Sequence, residues 1–276
     1  MKKKKISVSR IVIFVFLAVL AIICVLPFYS MIISATRSSA ELARGMGFTP
    51  GKNLLPNYKE LTRIVPIWKW FLNSLLISVP STVLTGYFGG LTAYGFEKFR
   101  WRGQKILYWV VLSTMMIPTQ VTLIGLFQIS KIYGVLNTYI PLIVPAIANG
   151  ATVFWMRSSI ESSIDDAYIE AARMDGCSEL SIFNRIVLPL LKPALATISI
   201  LNFVGSWNNY MGPLILINTV DKYPMALGIA VLKQMDKSDF GVIHTGIAIS
   251  IVPIMVVFTF LSKKIIGGLT VGGVKG

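Results

Sequence analysis

The sequence predicts an all-α membrane protein with six transmembrane helices. Hydrophobic residues make up 54% of the 276 residues and charged residues only 14%, a composition too apolar for a soluble domain of this length. The apolar residues form several runs long enough to cross a bilayer as helices, and lysine and arginine residues stand at the ends of those runs. We therefore expect a multi-pass chain whose polar segments connect the spans.

Charge and cysteine content narrow the range of partners. The net charge of +14 would suggest nucleic acid in a soluble protein, but here the basic residues flank the spans, where they anchor the chain against an anionic leaflet. No basic face with interleaved aromatic residues remains outside the spans, so we expect a lipid bilayer and no nucleic acid as partner. The two cysteines, Cys24 and Cys177, do not provide a disulfide framework.

The first predicted span covers residues 11–33 and follows a basic start. A signal peptide is the alternative, but the run exceeds twenty residues and has no small-residue cleavage site before Pro27. We interpret it as an uncleaved helix with its amino end in the cytoplasm. Residues 34–69 then form the longest loop, in which we expect a short surface helix at 58–64.

The second and third predicted spans cover residues 71–96 and 106–130 and are joined by a short charged turn. The second is rich in small and hydroxyl residues, and Gly86 and Gly90 would let neighbouring helix backbones approach closely inside lipid. Flexibility alone is the alternative, but a helix this poor in large side chains favours burial in a bundle. The third span is expected to break near Pro118.

The remaining predicted spans cover residues 139–156, 190–217 and 241–261. Between the first two of these lies a polar element at 157–189. After the last span, residues 267–276 contain so many glycines that we expect no helix there.

The polar element is expected to contain two helices. Apolar residues recur at intervals of four and three over residues 160–175, which predicts an amphipathic helix. Its apolar face is formed by Ile160, Ile164, Ala167, Tyr168 and Ala171. Gly176 ends this helix, Ser178 caps a second, and Pro189 bends the chain into the fifth span. The apolar side of the second helix carries Leu180, Phe183, Ile186 and Leu190. Amphipathicity alone would indicate a solvated loop with a surface helix.

The order of residues in this element matches a longer motif. The matching residues are Glu170, Ala171, Ala172, Asp175, Gly176, Phe183, Leu188 and Pro189. They resemble the cytoplasmic EAA loop of the permease subunits of bacterial ABC importers. The resemblance implies that these residues couple the chain to an ATPase subunit, with residues 165–185 docking as a coupling helix.

The resemblance extends over nearly the whole chain. Further matching stretches are Asn73-Ser74, Ile117-Pro118-Thr119-Gln120, Trp207-Asn208, Pro213-Leu214, Pro253 and the tail from Gly268-Leu269 to Val274-Lys275-Gly276. With the EAA loop they resemble MalG-like permeases, a carbohydrate-uptake group of ABC importers with the type I (MetI-like) permease fold. Asn209 departs from the pattern, because many relatives have an acidic residue there.

The resemblance implies a specific assembly. A second, different permease subunit would complete the pore, two ATPase subunits would drive it, and an extracytoplasmic solute-binding protein would deliver a sugar or oligosaccharide. The chain would lie in the bacterial plasma membrane with both termini in the cytoplasm, which agrees with an excess of basic residues in the loops placed inside. It would comprise a basic amino terminus (1–10), a permease domain (11–266) and a cytoplasmic tail (267–276).

Two further groups of residues are candidates for functional contacts. Side chains that could line the solute pathway are Gln120, Asn202, Trp207, Asn208 and Tyr210. A tryptophan beside amides can stack on a sugar ring, although the same amides could equally hold helices together. The tail residues that the resemblance places against the ATPase subunits are Gly272, Gly273 and Lys275. Without the resemblance, this tail would be an ordinary disordered end.

The sequence contains no catalytic constellation. It has no complete phosphate-binding loop, no metal-ligand cluster and no nucleophile with a paired base, so we expect no enzymatic activity, metal or cofactor in this chain. ATP and magnesium would bind to the partner subunits. The single histidine, His244, is most simply a hydrogen-bonded residue at the membrane interface.

Two functions are alternatives to sugar import: secondary transport of a neutral solute, and ATP-driven transport of a solute other than a sugar by a permease. A secondary transporter normally carries ionisable residues within its spans, and none lies centrally in a predicted span here.

Overall fold

The computed structural model describes residues 8–45, 47–235 and 239–272, which form helices and connecting turns without a strand. The helices of the first part are α1 (Val8–Ala35), α2 (Ser39–Ala43), α3 (Leu54–Ile64) and α4 (Ile67–Lys98). Those of the central part are α5 (Gln104–Ser113), α6 (Thr119–Ile132), α7 (Ile140–Ile143), α8 (Gly150–Ser163), α9 (Asp166–Met174) and α10 (Glu179–Ile182). The last are α11 (Leu188–Leu190), α12 (Lys192–Trp207), α13 (Met211–Leu216), α14 (Met225–Gln234) and α15 (Phe240–Gly272).

Up to six segments of the described chain are long and apolar enough to cross a membrane. Four are continuous: α1, α4, the segment from α7 to α8, and α15 as far as Leu261. The other two are bent pairs of helices, α5 with α6 and the segment from α10 to α11 with α12, whose bends are 101° and 81°. The prediction of an all-α, six-span protein is confirmed when each bent pair is counted as one span.

The expected break of the third span at Pro118 is confirmed. Before it, α5 runs into a 3-10 turn at Thr114–Met116, and Pro118 then occupies the N-cap position of α6. Because proline has no N–H group, it costs no hydrogen bond at the start of a helix, whereas in the interior it removes one. The fifth span, expected over residues 190–217, is interrupted within that range, since α12 ends at Trp207 and α13 begins at Met211.

Two helices lie in segments that were expected to be loops, and a third is longer than expected. The short helix α2 is set by a capping box, in which Ser38 and Glu41 each accept a hydrogen bond from the other's backbone N–H. The apolar helix α14 lies between the fifth and sixth spans. The surface helix expected at 58–64 is confirmed, although α3 begins earlier, at Leu54.

The chain divides into two compact units. The first contains residues 1–67 and 229–251, and the second contains residues 68–228 and 252–276. Within the first unit, the buried Asn57 amide of α3 donates to the carbonyls of Ala35 and Arg37, both at 2.9 Å. These bonds tie α3 to the carboxyl end of α1 and satisfy carbonyls that the helix end leaves open.

Within the second unit, the glycines of α4 allow close helix contacts, as their spacing predicted. A Cβ atom on Gly89 would lie 2.5 Å from Cγ2 of Thr152 in α8, and one on Gly86 would lie 3.4 Å from Leu195 in α12. Apolar burial gives little driving force between helices in lipid, so this close van der Waals packing is what holds such helices together.

The start of α4 also fixes the segment that leads into α14. The Asn73 amide donates to the carbonyls of Asp221 (2.8 Å) and Tyr223 (3.0 Å), and the Ser74 hydroxyl accepts from the N–H of Met225 (2.7 Å). The Asn-Ser pair therefore satisfies backbone groups at a turn that would otherwise be buried without partners.

The last helix extends further than its glycines suggested. The chain stays helical through Gly272, so the expectation of no helix after residue 266 is wrong for residues 267–272. Each residue added to an existing helix gains a hydrogen bond, which offsets the cost of about 1 kcal/mol per glycine. The other two tail residues assigned a contact, Gly273 and Lys275, lie outside the described residues.

Candidate functional site

The polar element between the fourth and fifth spans begins with a break. Helix α8 ends at Ser163, Ile164 is extended, and Asp165 caps α9 by accepting a hydrogen bond from the N–H of Ala167 at 3.0 Å. The single helix expected over residues 160–175 is therefore wrong, because the aspartate cap starts a new helix.

The new start changes which residues of α9 face the core. Ile169 and Ala172 are buried, whereas Ala167, Tyr168 and Ala171, which were expected on the apolar face, are exposed. A period of 3.6 residues predicts faces only within one uninterrupted helix. The pattern carried across the break from α8 consequently assigned the wrong face.

Gly176 forms the turn that follows α9. Its φ of +76° lies in the left-handed region, which costs a residue with a side chain about 1–2 kcal/mol. The turn is closed by a hydrogen bond of 3.0 Å from the N–H of Cys177 to the carbonyl of Ala172. Ser178 then caps α10 as predicted, accepting from the N–H of Ser181.

Phe183 anchors the second half of the element in the core. Its side chain is 0% exposed, and the centre of its ring lies 5.6 Å from that of Tyr87 and 5.8 Å from that of Tyr94. A Cβ atom on Gly90 would lie 3.6 Å from Cζ of Phe183. Because these three residues of α4 follow one another at intervals of three and four, they form a single pocket for the ring.

A π-helical turn at Phe183–Val187 leads from α10 to α11. Pro189, which follows it, cannot donate to the carbonyl of Arg185, so the regular hydrogen-bond ladder is interrupted here. The side-chain amide of Asn184 donates to the carbonyl of Leu180 at 2.8 Å and supplies a bond within the wide turn.

The wide turn shifts the buried face of this segment. Ile182, Val187 and Leu191 are buried, whereas Leu180 and Leu190, both expected on the apolar side, are 54% and 46% exposed. A π turn adds a residue to the helical repeat, so Leu190, which follows it, is rotated relative to its place in an α-helix. Leu180 precedes the π turn, so its exposure does not arise from this rotation. Of the residues expected on that side, Phe183 is the one whose full burial is confirmed.

A carboxylate inside the element links it to α4. Glu179 accepts hydrogen bonds from the hydroxyl of Tyr94 and from Nε of Arg173, both at 2.6 Å. The guanidinium carbon of Arg173 also lies 5.5 Å from the ring centre of Phe99. We call these groups the Tyr94–Glu179–Arg173 cluster; it joins the end of α9, the start of α10 and α4.

Two ion pairs follow at the end of α4. Nζ of Lys98 donates to the carbonyl of Ile164 (2.8 Å) and to the carboxylate of Asp166. The hydrogen bond from this ammonium holds the pKa of the Asp166 carboxyl below its ordinary value. Nε of Arg157 in α8 donates to Oε2 of Glu97 at 2.9 Å.

Sequence analysis did not identify Tyr94, Glu97 and Lys98 as supports of the polar element. They lie three and one residues apart on the last turns of α4, and their partners are 60 to 85 residues away in the sequence. The sequence does show charged and hydroxyl groups at the end of an apolar span. It does not show which residues they bind, because periodicity predicts helix faces and not contacts between distant parts of the chain.

The residues expected to couple to an ATPase fall into an exposed set and a buried set. Glu170, Ala171, Asp175 and Gly176 are exposed; Leu188 and Pro189 are half-buried; Ala172 and Phe183 are buried. Ala172 therefore packs into the core, and of the two alanines of the motif only Ala171 lies on the outer surface. Apolar side chains complete the outer face: Tyr168, Met174 and Leu180. We call the exposed residues at 168–180 the exposed EAA surface.

The residues expected to line a solute pathway lie around the break between α12 and α13. Trp207 is 2% exposed and packs between the rings of Phe203 and Phe71, whose centres are each 5.6 Å away. Asn208 is exposed, and Tyr210 is half-buried at the start of α13. In this conformation Trp207 packs beneath the break between the two helices, and the side chain of Asn208 next to it is a polar group exposed at the surface.

The other residues of that set lie apart from the break. The amide of Asn202 donates to Oγ1 of Thr152 at 3.4 Å, so it links α12 to α8. Gln120 is exposed in the first turn of α6. His244 lies elsewhere, in the first unit, where Nδ1 is 2.7 Å from the carbonyl of Phe240.

Several interrupted apolar helices, with a polar element held against α4 by Phe183 and by the Tyr94–Glu179–Arg173 cluster, define a multi-pass membrane protein. Comparison with known proteins then gives the family. Residues 85–267, more than half of the chain, match the model described as binding-protein-dependent transport system inner membrane component. The chain belongs to this family, and as an ABC transporter permease component it is part of a membrane complex and not itself an enzyme.

Two curated relatives illustrate the similarity. An arabinooligosaccharides transport system permease protein, AraQ of Bacillus subtilis, is 33% identical over 98% of this chain and 97% of its own length. A lactose transport system permease protein, LacG of Rhizobium radiobacter, is 30% identical over 94% of both chains. A solved bacterial ABC transporter involved in the import of the acidic polysaccharide alginate contains a chain with a TM-score of 0.79 and 25% identity, covering 95% of this chain and 99% of that one.

Removing the Tyr94 hydroxyl should loosen the polar element. Tyr94→Phe keeps the aromatic packing but deprives the Glu179 carboxylate of one of its two bonds, which is expected to lower the free energy of unfolding by about 1 kcal/mol. Thermal unfolding of the protein in detergent measures the loss. The matched control is Tyr87→Phe, since Tyr87 packs on the same Phe183 ring and its hydroxyl has no hydrogen bond within the described chain. Equal losses in the two variants would contradict a role for the cluster.

Proposed function

We propose that this chain is a transmembrane permease subunit of an ATP-driven importer for a sugar or oligosaccharide. An extracytoplasmic solute-binding protein delivers the solute, a second and different permease subunit completes the pore, and two separate ATPase subunits bind ATP and magnesium. The chain lies in a bacterial plasma membrane with both termini in the cytoplasm and carries no cofactor of its own.

The observation that carries the proposal is the near full-length similarity to permeases whose names specify carbohydrate uptake. The relatives named for arabinooligosaccharides and for lactose align over almost the whole chain, including the spans as well as the polar element. The family itself is named for binding-protein-dependent transport. A secondary transporter is therefore the less favoured function, and a non-sugar solute becomes an outcome of the test.

The exposed EAA surface supports coupling through residues 157–189. Glu170 and Asp175 are exposed and make no ion pair within the described chain, so their carboxylates are available to basic or amide groups of an ATPase subunit. Tyr168, Met174 and Leu180 add apolar area to the same contact. Phe183 and the half-buried Leu188 and Pro189 transmit the movement of this surface to the fifth span as one packed body.

The carboxyl-terminal tail is assigned a second contact with the ATPase subunits. Its candidate residues are Gly272, Gly273 and Lys275. Glycines let a backbone enter a narrow cleft, and the lysine supplies one positive charge. This assignment follows from the resemblance in the tail sequence.

The test of the proposal is uptake by a reconstituted complex. The full chain is purified with its accompanying subunits in mild detergent, and proteoliposomes are then assayed with the solute-binding protein and labelled mono- and oligosaccharides. Uptake should require the ATPase subunits, MgATP and the binding protein, and should persist when ionophores collapse ion gradients. Uptake that needs an ion gradient but no ATPase would indicate a secondary transporter, and transport of other solutes alone would contradict the sugar assignment.

Changes in the exposed EAA surface should uncouple the chain from the ATPase. Gly176→Trp places a bulky side chain at the centre of this surface and strains a residue with left-handed backbone conformation. Glu170→Lys reverses a charge on the same surface. Both variants should release the ATPase and reduce uptake at least tenfold. Copurification of the ATPase and uptake assays measure the two effects.

The matched control for this change is Gly134→Trp. Gly134 also has a positive φ, +66°, and open space at its Cβ position, but it lies outside the EAA element in the loop after α6. Normal uptake in the control with loss in Gly176→Trp would assign the effect to the surface and not to backbone strain. If both EAA variants bind the ATPase and transport normally, the element is only a connector.

Solute contact is assigned to the break between α12 and α13. We expect Asn208→Ala to lower solute uptake severalfold while assembly and basal ATPase activity persist, because the exposed amide makes no side-chain hydrogen bond within the described chain that its loss would break. Asn202→Ala is the comparison, since the Asn202 amide is bound to Thr152 and its loss should act through stability. Unchanged uptake in Asn208→Ala would remove this residue from the pathway, together with the role assigned to Trp207 and Tyr210 beside it and to Gln120 in α6.

A further inference from the structure

An open apolar groove lies beside the charged end of α4. It has a volume of about 380 Å³ and is lined by Thr92, Gly95, Phe96, Phe99 and Trp101. Gly95 leaves it open, because a Cβ atom at this position would meet no heavy atom within 4 Å. Thr92, Gly95 and Phe99 lie at helical intervals with the exposed Phe88, so this face continues along α4 into the span.

One end of the groove carries an excess of positive charge. The basic residues there are Arg100, Arg102 and Lys105, all exposed and without an ion pair in the described chain. The acidic groups nearby are already compensated, because Glu97 binds Arg157 and Asp166 binds Lys98. Arg100 donates only to backbone carbonyls, so its charge also remains available.

Aromatic residues place this end of the groove at a membrane surface. Trp101 is 45% exposed at the mouth of the groove, and Trp109 is 61% exposed two turns further along the chain on α5. Exposed tryptophans of spanning proteins concentrate at the level of the lipid headgroups. The apolar part of the groove therefore lies at the depth of acyl chains and the basic part at the depth of phosphates.

We propose that this groove binds an anionic phospholipid. One acyl chain lies over Gly95 between Phe96 and Phe99, and the phosphate contacts the guanidinium groups of Arg100 and Arg102 and the ammonium of Lys105. The charge excess selects the lipid, since a zwitterionic headgroup cancels much of the attraction, whereas each basic residue near an anionic surface favours binding about fivefold. The site is separate from the exposed EAA surface and does not depend on which solute is transported.

The test measures quenching of Trp101 by lipids with brominated acyl chains. The full chain, purified with its accompanying subunits, is placed in nanodiscs in which the mole fraction of either brominated phosphatidylglycerol or brominated phosphatidylcholine is raised in the same steps. The Trp101 contribution is the difference between the wild type and Trp101→Phe. Phosphatidylglycerol should quench Trp101 at a concentration on the order of tenfold lower than phosphatidylcholine does.

Two variants separate the charge from the groove. Arg102→Gln/Lys105→Gln should abolish the preference for phosphatidylglycerol, with Lys52→Gln/Lys59→Gln as the control of equal charge change. Gly95→Leu should fill the groove and reduce quenching by both lipids. The control is Gly205→Leu, since Gly205 lies in a different helix, α12, and also has open space at its Cβ position. Equal quenching of the wild type by the two lipids, an unchanged preference in Arg102→Gln/Lys105→Gln, unchanged quenching in Gly95→Leu, or no quenching because a partner chain covers the groove would overturn the proposal.

Discussion

The packing of Phe183 against α4 is the interaction on which the arrangement of the polar element depends. The Phe183 ring meets the Tyr87 ring edge-on, a contact that contributes about 0.5–1.5 kcal/mol, and also contacts the tilted ring of Tyr94. Because Gly90 has no side chain, the ring reaches the helix backbone between Tyr87 and Tyr94. Everything from the turn at Gly176 to the exit at Pro189 is positioned relative to this one buried ring.

Polar contacts then fix the orientation that the aromatic packing leaves open. The last turns of α4 present Tyr94, Glu97 and Lys98 to three different parts of the chain: α10, α8 and the α8–α9 junction. An aromatic ring in a pocket still permits rotation, whereas hydrogen bonds to charged groups are directional. A force applied to the exposed EAA surface therefore reaches α4 and α8 as well as the fifth span.

Much of the fold could be predicted from the sequence, because apolar runs and proline positions report directly on spans and breaks. The six spans, the break at Pro118 and the Ser178 cap all follow from such local signals. Exact faces could not be predicted, since the Asp165 cap and the π turn each reset the helical register. The residue types of the EAA motif were evident, but only the three-dimensional packing distinguishes the exposed Ala171 from the buried Ala172.

The breaks within the spans also show what the intramembrane polar groups do. Breaking a helix frees backbone groups that lipid cannot satisfy, so a side chain must serve them. Thr85 donates to the carbonyl of Ala146 at 2.8 Å in the turn between α7 and α8, and Asn149 accepts from the N–H of Thr152 at the start of α8.

The same rule applies at the break between α12 and α13. Asn209 accepts a hydrogen bond from the N–H of Gly212 at 3.1 Å and so holds the start of α13. An acidic residue could fill the same role, because its carboxylate is also a hydrogen-bond acceptor. The departure from the family pattern at this position therefore preserves the backbone geometry. Of the adjacent amides, Asn209 holds the start of α13, whereas the exposed Asn208 amide makes no side-chain hydrogen bond within the described chain.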